Sequence, residues 1–208
     1  MDSGGAVYAK VPAGGAAALE AAIRRARPHP NTGPLGVLAC DPARHAFALV
    51  DRWGRSDDMP RWAEGPDAAR AAELAALSRE VGEVVAFYEV EEGSLLGVYA
   101  VWREGALARE LHCYEGEWTR VAGEPQPWEA PLFAPARLEQ ALQDARDDDR
   151  DEAPVRAAFA PGRLVEGARG PAPQRMAVAI REALRGPPHG FQPWPRRRDV
   201  VMQLEAGK

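Results

Sequence analysis

Residues 83–121 read EVVAFYEVEEGSLLGVYAVWREGALARELHCYEGEWTRV. This stretch contains four strand-like runs, namely Val84–Val90, Leu95–Trp102, Ala106–Tyr114 and Trp118–Val121. A glutamate–glycine pair separates each run from the next: Glu92-Gly93, Glu104-Gly105 and Glu115-Gly116. Glycine readily adopts the positive φ that a tight hairpin turn requires. The pattern therefore predicts an antiparallel β-meander over about residues 83–121.

The second of these runs differs from the others. Leu95–Trp102 is apolar at nearly every position, whereas a strand with one solvent-exposed face alternates apolar and polar residues. We therefore expect this strand to be central in the sheet and covered by helices on at least one side.

Further elements are predicted on both sides of the meander. Strands are expected at Ala6–Val11 and Asp199–Leu204, and a hairpin is expected from Leu35–Cys40 and His45–Val50 around the loop Asp41–Arg44. Apolar residues at helical spacing predict four helices. The first carries Leu19, Ala22, Ile23 and Ala26; the second runs from Pro66 to Gly82 and carries Ala71, Leu74, Leu77 and Val81; the others are Pro135–Arg146 and Pro173–Arg185.

Together these elements predict an α+β fold, with a mainly antiparallel sheet and four helices packed on it. The late strand at Asp199–Leu204 is expected to return to the sheet next to an early strand. Residues 1–208 are expected to form a single domain. The alternative is a weak division near residue 60, between a strand–helix–hairpin half (1–60) and a half with the meander and the later helices (61–208).

Composition narrows the classes of function. The 208 residues include 26 basic and 31 acidic ones, for a net charge of −5, which argues against a nucleic-acid-binding protein. We find neither an apolar run long enough to cross a membrane nor a basic, apolar N-terminal signal, so we expect a cytoplasmic protein. The two cysteines, Cys40 and Cys113, are expected to be reduced. Phosphate-binding, zinc and nucleophile-elbow motifs are missing, and we expect no cofactor.

Cys40 and His45 are the weak catalytic candidates. If the predicted hairpin forms, they flank its loop and could face each other, and an imidazole can activate a neighbouring thiol. The competing interpretation, a buried cysteine and a polar loop histidine, is favoured. His112 and Cys113 are weaker still, because adjacent strand residues point to opposite faces.

Asp147, Asp148 and Asp151 are the weak metal-ligand candidates. They match an Asp-Asp-x-x-Asp pattern that superficially resembles the magnesium motif of isoprenoid synthases. Those enzymes are larger helical bundles, whereas this chain contains a meander. A solvated helix end or loop is the favoured interpretation of the run.

A third group of residues is typical of a partner-binding surface, in which tryptophan and arginine are common anchors. Its members are Trp53, Asp57, Asp58, Arg61, Trp62 and Trp128. The alternative is that the tryptophans cover the core.

For function, the sequence favours a non-catalytic cytoplasmic module that engages a protein partner through acidic and aromatic surface. An immunity-type or regulatory protein that binds a basic partner is one concrete version. The alternative is a small cysteine-dependent hydrolase or transferase that uses Cys40 and His45. Nucleic acid and membrane are not expected as partners.

Overall fold

The computed structural model of the chain describes residues 3–26, 35–38, 47–51, 68–90, 96–171 and 202–204. Over these residues the chain forms eight strands and four α-helices, which confirms the α+β class. The strands are β1 (Ser3–Lys10), β2 (Leu35–Leu38), β3 (Phe47–Asp51), β4 (Glu83–Val90), β5 (Leu96–Arg103), β6 (Ala106–Tyr114), β7 (Glu117–Gly123) and β8 (Met202–Leu204). The helices are α1 (Gly15–Ala26), α2 (Ala68–Val81), α3 (Pro135–Asp147) and α4 (Glu152–Phe159), with a short 3-10 helix at Ala130–Phe133.

The strands form one sheet in the order β7-β6-β5-β4-β1-β3-β2-β8. Each neighbouring pair in this order is antiparallel. Strands β4 to β7 are consecutive both in the chain and in the sheet, so the predicted meander is confirmed. Strand β8 pairs with β2, so the late strand does return beside an early one. Strand β1 pairs with both β3 and β4, and the strands before and after residue 60 thus belong to the same sheet.

Two of the glutamate–glycine turns are described, and both have the geometry that the sequence predicts. Glu104 and Gly105 have φ of 50° and 88°, and Glu115 and Gly116 have φ of 49° and 82°. Positive φ at both central residues is the signature of the type I′ hairpin turn, whose twist matches that of the flanking strands. The third pair, Glu92-Gly93, lies outside the described residues.

Helices α1 and α2 cover one face of the sheet, which we call the helix face. Leu19 and Ile23 of α1 and Leu74 and Leu77 of α2 are each at most 1% exposed. Their core cluster also contains Val7, Ala9, Ala22, Ala26, Val81, Val84, Ala86, Ala100 and Trp102. The predicted inner stripes of both helices are therefore confirmed, with Ala71 only partly buried.

The opposite face, which we call the aromatic face, is covered by the irregular chain that follows β7. Trp128, Leu132 and Leu164 from this chain are buried there. On the sheet side their cluster consists of Tyr8, Val85, Tyr99, Val101, Leu111, Cys113 and Trp118. Strand β5 contributes to both faces, which confirms its prediction as a covered central strand and shows that both of its sides are covered.

The region after the sheet differs in part from the prediction. Helix α3 has nearly the predicted bounds, whereas the predicted helix Pro173–Arg185 lies outside the described residues. Helix α4 was not expected. It begins because the Asp151 carboxylate accepts a hydrogen bond from the Ala153 amide at 2.9 Å, and because Pro154 sits in the first turn, where its missing N–H costs nothing.

Candidate functional site

Most residues of the catalytic candidate and of the partner-binding candidate lie outside the described residues. These are Cys40 and His45 of the catalytic candidate, and Trp53, Asp57, Asp58, Arg61 and Trp62 of the partner-binding candidate. Their roles stay predictions.

Trp128 is described. The partner-binding hypothesis requires an exposed ring, but the ring is buried. The side chain is 8% exposed and packs edge-on against Tyr99, with ring centroids 5.1 Å apart. Its indole Nε1 donates a hydrogen bond to the Tyr99 hydroxyl at 3.3 Å. Trp128 therefore covers the core, which is the alternative that the sequence left open.

A buried ion pair holds the segment around Trp128 on the sheet. Arg109 of β6 and Glu129 form a two-pronged contact, with Nε–Oε1 at 2.9 Å and Nη2–Oε2 at 2.5 Å. Both side chains are 3% exposed. Arg109 also donates to the Gly123 carbonyl at 2.7 Å, and the Gln126 amide donates to Glu129 at 2.8 Å. Because each charge is matched by hydrogen bonds within the fold, this pair serves the structure rather than a ligand.

The two adjacent residues His112 and Cys113 lie on opposite faces, as strand alternation requires. Cys113 is fully buried on the aromatic face, and burial raises the pKa of its thiol to about 11. The thiol is therefore protonated near neutral pH and is a poor nucleophile. The geometry excludes a thiol–imidazole pair between these two residues.

His112 belongs to a three-residue polar cluster at the β6–β7 end of the sheet. Its Nε2 lies 3.1 Å from Glu110 Oε1. Arg120 lies opposite His112 on β7 and donates to Glu110 Oε2 at 3.2 Å. Burial lowers the pKa of His112, while the Glu110 carboxylate opposes that shift. The imidazole is therefore neutral at pH 7 and oriented by Glu110. It hydrogen-bonds to no hydroxyl or thiol of the described chain, so the cluster has an oriented base without a nucleophile.

The three aspartates of the metal hypothesis lie at the junction of α3 and α4, where each has a different partner. Asp147 accepts from Gln143 at 2.8 Å, Asp148 from Arg150 at 2.8 Å, and Asp151 from the Ala153 amide. In the part of the chain that the structure describes, no group of three or more His, Cys, Asp or Glu side chains is placed to hold a metal ion. The aspartates form an exposed helix junction.

These two helices and their junction, residues 135–159, form what we call the acidic hairpin. They contain seven carboxylates and four arginines, so they carry a net charge of −3 out of −5 for the whole chain. One ion pair links the helices, with Glu152 of α4 accepting from Arg146 of α3 at 2.7 Å. Within α4, Glu152 also accepts from Arg156 at 2.7 Å. These hydrogen bonds lower the pKa of Glu152, which stays ionised.

Helix α4 lies at the periphery of the molecule. None of its residues is buried. Phe159 packs on Phe133 at 5.9 Å between ring centroids, while Ala153, Pro154 and Ala157 are exposed. The acidic hairpin thus presents a small apolar helix surface beside an exposed run of carboxylates.

A comparison with protein-family models, with curated proteins and with solved structures finds no match to this chain. Among the described residues, no helix is both long and apolar enough to cross a membrane.

Proposed function

We propose that the chain is a non-catalytic, cytoplasmic protein-binding module, and that its acidic hairpin engages a basic surface of the partner. An immunity-type protein that blocks a basic toxin is a concrete version of this function.

The observation that carries the proposal is the concentration of charge on a peripheral element. The acidic hairpin holds three of the five net negative charges, and α4 within it has no buried residue. Asp148 and Asp149 are exposed at the junction and do not contribute to the core. A surface with a net negative charge attracts a basic partner over a distance and accelerates encounter.

The partner chemistry follows from the same surface. The exposed carboxylates favour arginine and lysine side chains, and the exposed alanines and proline of α4 allow a partner's apolar groups to approach closely. Because the charged groups are exposed, we expect association to weaken steeply as salt is added.

The test uses a triple variant, Asp147→Asn, Asp148→Asn and Asp149→Asn, which removes three charges with little change of shape. Asparagine tolerates the left-handed backbone of Asp149, whose φ is 52°. The partner is first captured from cells of the native source with the unaltered chain. We expect the triple variant to lower the association rate about tenfold or more at low salt.

The matched control removes three other exposed carboxylates through Glu104→Gln, Glu115→Gln and Glu124→Gln. It changes the net charge by the same amount, so it separates the effect of the acidic hairpin on association from the effect of overall charge. Equal loss of binding in both triple variants, or undiminished binding by the hairpin variant, would contradict the proposal.

A further inference from the structure

The outer edge of β7 is covered by a short segment that is not a strand. The Trp118 amide donates to the Ala168 carbonyl at 3.0 Å, and the Gly167 amide donates to the Trp118 carbonyl at 2.8 Å. Further along, the Val121 amide donates to the Glu166 carboxylate at 3.0 Å. We call residues Val165–Gly170 the strap. It satisfies edge groups of β7 that would otherwise be open to pairing with another chain.

The residues that flank the strap are buried, whereas the strap itself makes few buried contacts. Leu164 before it is 4% exposed within the aromatic-face core, and Pro171 after it is also buried. Every residue of the strap itself is at least partly exposed. Its middle therefore depends on three hydrogen bonds to β7, one of which the exposed Glu166 carboxylate accepts from the Val121 amide. Segments with few buried contacts and exposed hydrogen bonds open at lower cost than the core.

The closed strap also leaves one buried polar group without a partner. Trp118 is fully buried, and its indole Nε1 has no hydrogen-bond acceptor. The strap passes directly over this atom, since a Cβ added at Gly170 would lie 2.2 Å from it. A buried donor without an acceptor disfavours the closed state, and a lifted strap would give the N–H a water partner.

We propose that Val165–Gly170 is a displaceable strap that opens while the sheet stays folded and so controls access to the β7 edge. When it lifts, the backbone groups of Trp118 and Val121 become free. Unpaired edge groups of this kind accept an extended segment of another chain as an added strand. This edge is separate from the acidic hairpin, and the inference does not depend on the hairpin's function.

The first experiment is native-state hydrogen exchange followed by NMR on the full chain. The reporters of the strap are the Trp118 amide, the Trp118 indole N–H, the Val121 amide and the Gly167 amide. The reference is the Ala100 amide in the central strand β5. We expect the four reporters to share one protection factor that is at least about 100-fold lower than that of Ala100. Protection of the indole N–H equal to that of Ala100 would overturn the proposal.

The second experiment asks whether the strap moves as one unit. Glu166→Ala removes the side-chain acceptor of Val121, and Glu124→Ala is the control at another exposed glutamate. We expect Glu166→Ala to lower the protection of all four reporters about tenfold and to leave Ala100 unchanged. If only the Val121 amide responds, the strap does not open as a unit and the proposal is wrong.

Discussion

The two faces of the sheet are covered by different kinds of structure. On the helix face, α1 and α2 bury aliphatic side chains and satisfy their own backbone hydrogen bonds. On the aromatic face, irregular chain and the short 3-10 helix Ala130–Phe133 cover Tyr99 and Trp118 without the continuous hydrogen-bond ladder of an α-helix. A buried ion pair holds this cover on the sheet: Glu129, which belongs to the cover, binds Arg109 of β6 and accepts from the Gln126 amide. A helical cover can be built from apolar residues alone, whereas an irregular cover needs buried polar partners.

Among the tests of this difference, we expect the largest loss of stability from removing the charge partner on the aromatic face. Arg109→Met leaves the Glu129 carboxylate buried without its counter-charge. We expect the free energy of unfolding to fall by about 3–5 kcal/mol, measured by urea denaturation.

The double variant Arg109→Met, Glu129→Gln is the control for this effect. It removes both charges, and we expect it to recover a substantial part of the loss. If the Arg109→Met variant is as stable as the unaltered chain, the cover of the aromatic face does not depend on this pair.

On the helix face the corresponding change is Leu77→Ala. Leu77 is fully buried, so its truncation loses apolar burial and leaves a cavity. We expect a loss of about 3 kcal/mol in the free energy of unfolding. Leu107→Ala, at a side chain 47% exposed, is the control and should cost well under 1 kcal/mol. Equal costs at the two leucines would show that α2 does not seal this face.

The smallest expected effect on stability is the pH dependence that His112 contributes. The strand register places this residue on the helix face, opposite Val98. Its pKa in the folded chain is lowered from the ordinary value of 6.5 by burial, so the unfolded chain binds the proton more tightly. Stability should therefore fall as the pH decreases through 6.5 and level off below the folded-state pKa. Well above 6.5, where both the folded and the unfolded chain carry a neutral imidazole, this residue should contribute no pH dependence.

His112→Gln, which cannot titrate, should have a shallower loss of stability between pH 7.5 and pH 5. The measurement is the free energy of unfolding of both chains at several pH values. Identical pH profiles would show that His112 does not titrate differently in the folded and unfolded chains.

The sequence was most informative where neighbouring elements are also neighbours in the chain. The meander follows from Glu104-Gly105 and Glu115-Gly116, since a two-residue turn sets the pairing of the strands that it joins. Helix α4 could also have been found, because Asp151 followed by Pro154 is a recognisable helix start. Its eight residues are fewer than the roughly 11 residues over which apolar periodicity identifies a helix.

The buried polar contacts could not be predicted in the same way. Arg109 and Glu129 are twenty residues apart, and nothing in their local sequence distinguishes them from exposed charges. Trp128 lies in a proline-rich stretch, which is typical of an exposed loop, whereas its contact with Tyr99 and the ion pair of the adjacent Glu129 become visible only in the fold. The acidic run at Asp147–Asp151 was correctly expected to lie at an exposed helix end or loop.

The central place of β1 has a consequence for synthesis on the ribosome. This strand ends at Lys10, but its partner β4 begins only at Glu83. At a translation rate of about 5–20 residues per second, β1 waits about 4–15 s before that partner has been made. During elongation, the nascent chain thus carries β1 with the edge that later binds β4 unpaired. Each hairpin of the later meander, in contrast, can close as soon as it emerges.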